Sequence, residues 1–546
     1  MMCDYIKYYI RIFITLTLFT KTIALPAQND KSITLQILDN EYWWGGLSSL
    51  GHQMPYSKAT KLKIDLWGNN RGNQAQPLLI SNKGRYIWSE SPIQYEFHEG
   101  KINVKVREGN IYTGKEGDDL NSVYQYVSQR FFPSNGSIPD EILFTHPQYN
   151  TWIELTYHQN EKDILKYAQS IIDNGYPPGV LMIDDNWQED YGNWNFSSRR
   201  FKDPKGLIDR LHLMGFKVML WVCPFVSPDS EIFRQLAEDG LLILDPQKKQ
   251  EILWANTKNK AAAIRWWNGF SACLDLSNPK AEAWMHQQLE NLVENYSIDG
   301  FKFDAGDARF YKNNVVSYQE VSPNDHTTFF AKLGLNFPLN EYRASWKMAG
   351  LPLVQRLRDK RHSWEDLQKL IGDQLSQSAM GYAYTCPDMI GGGEYQSFKK
   401  IENIDQELIV RSAQVHALMP MMQFSVSPWR VLSDKNNQLC LEAAKLHQQM
   451  GAKMVMLAKR ASKTGIPIVR PMEMVFPNAG YENIKDQFVL GDDVIVAPII
   501  KKGQRKRKVI LPKGKWMDEK GEKYNGEATI EIEVPLERLP YFSKIK

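Results

Sequence analysis

Hydrophobic and polar positions along the chain follow three successive rhythms. From about Asp30 to Pro147, short apolar segments alternate with Gly, Asn, Ser and Pro, as in Leu78-Leu-Ile-Ser-Asn-Lys-Gly-Arg-Tyr-Ile-Trp and Ile102-Asn-Val-Lys-Val. That spacing predicts hairpins, hence an N-terminal β-sandwich. After Thr151 the period lengthens. Trp152-Ile-Glu-Leu reads as a strand, and Ile164, Leu165, Ala168, Ile171 and Ile172 then share one face of a helix that stops at Gly175. The unit recurs, with a strand at Val180-Leu-Met-Ile, a helix over residues 207–214 closed by Gly215, and a strand at Val218-Met-Leu-Trp-Val. The unbroken apolar character of this third strand suits burial on both faces. Asn278 caps a helix that has Pro279 in its first turn and runs to about Tyr296, and Phe301-Lys-Phe follows as the fourth strand.

Leu353-Val-Gln-Arg-Leu, Leu370-Ile-Gly, Tyr382-Ala-Tyr-Thr-Cys and Met419-Pro-Met-Met-Gln-Phe supply strands five to eight. Eight β units with helical or loop crossovers predict an α/β fold, a (β/α)8 TIM barrel, with a doubly wound open sheet as the alternative. A helical stretch through Leu441 to Arg460 then gives way to Val494-Ile-Val-Ala-Pro-Ile-Ile, Lys508-Val-Ile-Leu-Pro and Thr529-Ile-Glu-Ile-Glu-Val-Pro. The expected domains are a leader at 1–27, an N-terminal β-sandwich at 28–147, a catalytic barrel at 148–465 and a C-terminal β-domain at 466–546.

At 546 residues the chain exceeds what one hydrophobic core organises, which supports this division. Its 16 Trp suit sugar stacking and large cores equally. A net charge of +3 offers no electrostatic footprint for nucleic acid, and the basic run Lys501 to Lys508 reads as a solvated hairpin. Lys7 and Arg11 precede an apolar run, Ile12 to Thr20, with small residues at Ala24 and Ala27. This pattern predicts a secretory signal peptide and a secreted or periplasmic protein. The run is short for a bilayer and Lys21 interrupts it, so a signal anchor is the lesser alternative, with no stable membrane insertion once the leader is cleaved. Beyond Cys3 in the leader, Cys223, Cys273, Cys386 and Cys440 form no disulfide scaffold, although one bridge could form after export, and their spacing suggests no zinc. Asn135-Gly-Ser, Asn195-Phe-Ser and Asn295-Tyr-Ser match glycan acceptors.

In a parallel barrel the residues that end the strands converge on one rim. On this reading Asp184 and Asp185 end strand two, Asp304 strand four, Asp373 strand six and Asp388 strand seven. Gathered carboxylates raise one another's pKa, a cost tolerated where a proton donor or an incipient cation must be served. Glycosidic hydrolysis needs both. No metal cluster, phosphate-cradling Gly loop or nucleophile elbow competes, so no cofactor is expected, and Glu394 near Gly391-Gly-Gly reads as part of a loop beside the mouth.

The chain resembles glycoside hydrolase family 31. The likeness rests on Ile87-Trp-Ser-Glu-Ser-Pro, Gly372-Asp373-Gln374, Pro387-Asp388-Met389-Ile390-Gly391-Gly392, Leu490-Gly-Asp-Asp-Val-Ile-Val-Ala-Pro and Leu511-Pro-Lys-Gly-Lys-Trp, in that order. It implies a retaining double displacement in which Asp304 attacks the anomeric carbon and Asp373 serves as acid/base. Typical α-glucosidases of the family have Trp-x-Asp-Met at the nucleophile, whereas this chain has Lys302-Phe303-Asp304-Ala305. Lys302, with Ile183-Asp184-Asp185-Asn186-Trp187, is similar to the α-galactosidase pattern, where such residues bind sugar hydroxyls including O4. No His stands in Phe424-Ser-Val-Ser-Pro-Trp, where the glucosidases carry one.

The resemblance therefore implies an α-galactosidase-like branch acting on a carbohydrate substrate. It leaves α-glucosidase, α-xylosidase, sulfoquinovosidase and a catalytically silent glycan-binding relative as alternatives, and the oligomeric state open. Arg356, or Arg358 in its place, is similar to the family's sugar-binding arginine. Trp221 is expected at the pocket floor, Trp43 or Trp44 reaching in from the N-terminal domain, and Trp254 from the insertion before strand four. Core packing is the competing account of each Trp.

Overall fold

The computed structural model describes residues 31–246, 260–312 and 314–546. The leader assigned to 1–27 and Trp254 lie outside the described residues. Eight parallel strands form a barrel: β1 Gln148–Asn150, β2 Val180–Ile183, β3 Lys217–Val222, β4 Gly300–Phe303, β5 Leu339–Tyr342, β6 Gln355–Arg356, β7 Thr385–Cys386 and β8 Gln423–Phe424. β8 pairs with β1, and a single parallel bridge, Met389 to Gln423, spans the remaining seam between β7 and β8. Val180–Ile183 is buried at every position, as a strand covered on both faces must be.

Outside the strands lie α1 Glu161–Asp173, α2 Pro204–Leu213, α3 Pro279–Tyr296, α4 Pro323–Lys332, α5 Trp364–Ala379, α6 Gln406–Ala417 and α7 Asp434–Thr464. Their starts follow capping chemistry. The Asn278 side chain accepts from Lys280 N ahead of Pro279, and the Ser363 side chain accepts from Asp366 N at the head of α5. Among the described residues no helix is long and apolar enough to cross a membrane.

Three expected strands differ. Trp152–Leu155 is a helical turn, and the first strand lies just upstream at Gln148–Asn150. The fifth strand, Leu339-Asn-Glu-Tyr, escapes a hydrophobicity reading because two of its fully buried residues are polar: Glu341 bonds Arg356 and Gln423, and Asn340, on the opposite face, donates to the Phe337 and Pro352 carbonyls. The segment expected as strand five thus contains β6, and Leu370-Ile-Gly belongs to α5. Short apolar runs carry no period of their own, so neighbours decide between helix and strand.

Two N-terminal sheets precede the barrel. One has four strands, Ser32–Gln36, Lys101–Val106, Ile93–His98 and Leu62–Asp65, and the other is built on Gln74–Ser81. The barrel joins the second sheet directly, since Ser345–Trp346, just beyond β5, pairs in parallel with Gln74 and Ala75. At the C-terminal end a six-stranded sheet and the antiparallel pair of Lys506–Leu511 with Ala528–Glu533 enclose a second core around Trp516 and Phe542. The basic run is tied down there by the ion pairs Lys502–Asp405, Arg505–Glu407 and Lys506–Glu533. Cys223, Cys273, Cys386 and Cys440 are all buried free thiols.

Candidate active site

A cavity of about 450 Å3 opens at the C-terminal ends of the strands. Its floor carries Asp184 and Asp185 after β2, Trp221 from β3, Lys302 from β4 and Asp304 just after it, Arg343 after β5 and Arg356 from β6. Trp152, Tyr157, Trp267 and Tyr395 bring aromatic walls, and Arg309, Arg358, Asp359, Met389 and Glu394 complete the lining.

Asp304 is held from three sides. Its Oδ1 accepts from Arg343 Nε and from the Ala305 N–H, each at 2.8 Å, and its Oδ2 accepts from Trp221 Nε1 at 3.2 Å. Burial alone would raise its pKa, but the charges of Arg343, Lys302 and Arg356 outweigh burial and hold the carboxyl well below the usual range. An always-ionised carboxylate facing a cavity is a nucleophile in waiting. Ala305 pays for the Asp304 contact with a left-handed backbone, φ 61°, a conformation that side-chain-bearing residues avoid.

Behind Asp304 runs a layer of paired charges. Lys302 Nζ donates to Asp184 Oδ2 at 2.6 Å, and Arg356 donates to Glu341 at 3.0 Å, to Asp359 at 2.9 Å and to Asp388 at 2.6 Å. Gln423 Nε2 donates to the second oxygen of Glu341 at 2.7 Å. Asp185 is different. Burial, then the neighbouring Asp184, push its carboxyl up to about 7, although Asn268 Nδ2 donates to it at 2.8 Å and Tyr191 OH at 3.2 Å. Asn268 arrives from the hairpin of Ile264–Trp266 and Gly269–Cys273 that caps the mouth.

The structure brings Asp184, Asp185, Trp221, Lys302, Asp304 and Arg356 together as expected, and Glu394 joins the lining. Three expectations change. Asp373 ends no strand: it sits within α5, is 1% exposed and is absent from the cavity lining. There it accepts from Lys360 Nζ at 2.5 Å and from the His52 backbone N–H at 3.1 Å, with His52 Nδ1 at 2.9 Å. Burial raises its pKa, but Lys360 and His52 outweigh burial and hold the carboxyl below the usual carboxylate range. The adjacent Gly372 serves the same crossing, since a Cβ there would stand 2.7 Å from His52 Cα.

Asp388, fully buried, also lies behind the cavity, where it fixes Arg356 and accepts from Lys360 N at 2.7 Å. Trp43 and Trp44 are core residues of the N-terminal sheets and line no part of the cavity. Arg356 and Arg358 both line it, and Arg356 belongs to β6 rather than to the fifth strand.

Sequence reasoning missed Arg343 and Asp359. Arg343 follows the unrecognised β5, and its NH2 group donates to the buried Asp307 at 2.6 Å while its Nε holds Asp304. Asp359 carries a side chain 40% exposed into the mouth, and Arg356 feels the fields of both Asp359 and Asp304. An acid three residues beyond an arginine at the end of β6 was the available signal, hidden by the misplaced sixth strand. Among the described residues no group of three or more His, Cys, Asp or Glu side chains is placed to hold a metal.

Barrel, carboxylates and aromatic walls define the glycoside hydrolase class. The family model described as the Glycosyl hydrolases family 31 TIM-barrel domain matches residues 142–351, and the family 31 C-terminal domain matches 465–545. The chain belongs to glycosyl hydrolase family 31. It is 31% identical over 440 residues to the Myogenesis-regulating glycosidase of Mus musculus, covering 78% of this chain and 60% of that protein. To the SITS-binding protein of Tetronarce californica it is 27% identical over 323 residues, 56% of this chain and 44% of that one. The chain thus spans about half the length of these relatives. A Flavobacterium johnsoniae GH31 dextranase complexed with glucose shares the fold with a TM-score of 0.81 at 18% identity, covering 94% of this chain and 66% of the other.

Proposed function

We propose that the chain is a retaining exo-α-glycosidase acting on terminal α-galactosides, with Asp304 as nucleophile and Asp359 as acid/base. The observation that carries this reading is the pair itself: an ionised Asp304 on the cavity floor and a solvent-reached Asp359 on the wall, both within the field of Arg356. Asp304 attacks the anomeric carbon as the bond to the leaving oxygen breaks, and Asp359 delivers its proton to that oxygen. Water then gives a proton to Asp359 and attacks the same carbon, releasing the sugar and restoring the Asp304 carboxylate. Formation of the ester removes the charge of Asp304, while Arg343 keeps its second partner, Asp307.

Galactose is favoured by the Lys302–Asp184 pair with Asp185 beside it, polar groups suited to fix one configuration of sugar hydroxyls. A pocket that hydrogen-bonds axial O4 leaves those groups unpaired when the epimer binds. A 25% identity over 427 residues to Alpha-glucosidase 2 of Bacillus thermoamyloliquefaciens keeps the glucoside as the second reading. Export through the N-terminal leader is part of the same proposal, supported by the Lys7-Arg11 flank and the apolar run behind it. The experiment is a parallel assay of aryl α-galactoside, α-glucoside and α-xyloside with the wild type and Asp304→Ala. Turnover confined to the galactoside and lost in the variant is expected. Preference for another glycone overturns the sugar, and wild-type turnover in Asp304→Ala overturns the nucleophile.

A further inference from the structure

We infer that the cavity mouth holds a cationic subsite for a leaving group that bears a carboxylate, sulfate or phosphate, formed by Arg309 and Arg358. This rests on the glycosidase reading above and adds the chemistry of the group released. The charges of the floor are paired among themselves: Lys302 with Asp184, Arg343 with Asp304 and Asp307, Arg356 with Glu341, Asp359 and Asp388. The two rim arginines are not neutralised in this way. Arg309 is 51% exposed along its side chain, and its nearest acid, Asp307 at 3.4 Å, is fully buried and already takes both terminal nitrogens of Arg343, at 3.2 and 2.6 Å. Arg358 is exposed and makes no ion pair among the described residues; its Nη1 donates to the Arg71 carbonyl at 3.4 Å.

One N-terminal loop brings these guanidinium groups to the same side of the mouth. The Asn73 side chain accepts from Arg358 N at 2.9 Å, and the Gly72 carbonyl accepts from Arg343 Nη1 at 2.8 Å. Gly72 itself has φ 69°, and a Cβ on it would stand 2.9 Å from Arg343 Nη1 and 3.9 Å from Arg309 Nη2. A bare glycine is what lets the arginines close around the loop. Aromatic faces hold them in place: the Arg309 guanidinium lies 5.0 Å from the Phe310 ring, Phe310 meets Trp267 edge-on at 5.8 Å, and Arg343 covers Trp267 at 5.2 Å. The other acid in the lining, Glu394, is occupied by Gln396 N and Ser397 Oγ. Guanidinium forks match the paired oxygens of carboxylate, sulfate and phosphate, and two of them facing solvent beside Asp359 favour a leaving group with an anion near the scissile oxygen.

The test uses matched aryl α-glycosides whose phenol carries a 4-carboxylate, a 4-sulfonate, a 4-phosphate or a neutral 4-carboxamide, each made as the galactoside, glucoside and xyloside. On whichever glycone is turned over, the anionic members are expected to exceed the carboxamide in kcat/KM by about tenfold at low ionic strength, an advantage that shrinks with salt. The double variant Arg309→Gln/Arg358→Gln should bring that ratio close to one. Comparing ratios cancels the intrinsic difference between phenols and any general loss of activity. Ranking of the anions then tells carboxylate, sulfonate and phosphate recognition apart. A wild-type ratio near one, or a ratio that the double variant leaves unchanged, overturns the subsite. If no glycone is hydrolysed, the proposed function fails, and the subsite is read instead from binding of the same probes to Asp304→Asn by calorimetry. Tighter binding of the anionic members, lost in the arginine variants, supports it, and equal binding overturns it.

Discussion

Asp359→Ala and Asp373→Asn separate the chemistry of the mouth from the joint behind it. Asp373 receives Lys360 at 2.5 Å, with His52 Nδ1 at 2.9 Å, and its side chain is 2% exposed against 10% for Lys360. Neutralising it leaves the Lys360 ammonium buried without its partner, and breaking such a pair costs roughly 3–5 kcal/mol. The same joint carries Gly51 and Gly372, whose Cβ positions would meet opposing backbone at 2.1 and 2.7 Å, so little can rearrange to relieve the loss. A melting midpoint lower by roughly 5–10 °C is expected for a cooperative unit of barrel size. Turnover per folded molecule should change little. Asp359 is 40% exposed and among the described residues its side chain bonds Arg356 alone, so its replacement should spare the fold. It should lower turnover of a substrate with a poor leaving group by roughly 10²–10⁴-fold, the scale of general acid catalysis. Azide attacks the glycosyl ester on Asp304 without needing a base, so it should restore turnover of an activated aryl glycoside in Asp359→Ala and not in the wild type. The assays are differential scanning fluorimetry and initial rates with poor and good phenolic leaving groups. Loss of turnover in Asp373→Asn at an unchanged midpoint, with Asp359→Ala fully active, would refute the assignment.

Two further outcomes follow from the electrostatics of the floor. Arg343→Gln removes the cation that most strongly opposes burial at Asp304, so the nucleophile's pKa rises and the acid limb of kcat/KM moves to higher pH; an unmoved limb in a pH–rate profile would contradict this. Asp185, pushed up to about 7, should accept sugar hydroxyls better once ionised, so inhibitor binding tightens as pH rises through about 7, and calorimetry on Asp185→Asn should lose that dependence. The sign for stability is opposite. A carboxyl whose folded pKa is raised binds more protons folded than unfolded, so its contribution is present below the unfolded value of 3.8 and is lost as pH climbs through about 7; Asp185→Asn should flatten the melting midpoint across that window.

Much of the architecture could be read from one-dimensional pattern. β2, β3 and β4 were legible from what flanks them, Gly179 and Gly215 ahead of β2 and β3 and the carboxylates that close β2 and β4, and the helix after Asn278 is announced by its own cap and proline. Asp304 and Lys302 were legible because they sit at the end of such a strand. β5 and Asp373 were not. Leu339-Asn-Glu-Tyr is half polar because Glu341 pairs with Arg356 and Gln423, 15 and 82 residues away, while Asn340 on the other face ties down the Phe337 and Pro352 carbonyls. Gly372-Asp373 has the form of a catalytic motif, yet its reason is a helix crossing against Gly51 and His52 from the other end of the chain.

By itself, the sequence determined the barrel, the strand that ends on Asp304 and the lysine beside it, because local hydrophobic period and capping chemistry act over a few residues. Tertiary structure alone decided which second carboxylate faces the cavity and which lies buried behind it. It also decided that Arg343 keeps Asp304 ionised and that Arg309 and Arg358 share one side of the mouth. These are matters of proximity between segments far apart in the chain, and a carboxylate's burial and nearest cation, which set its proton affinity, exist only once those segments have met.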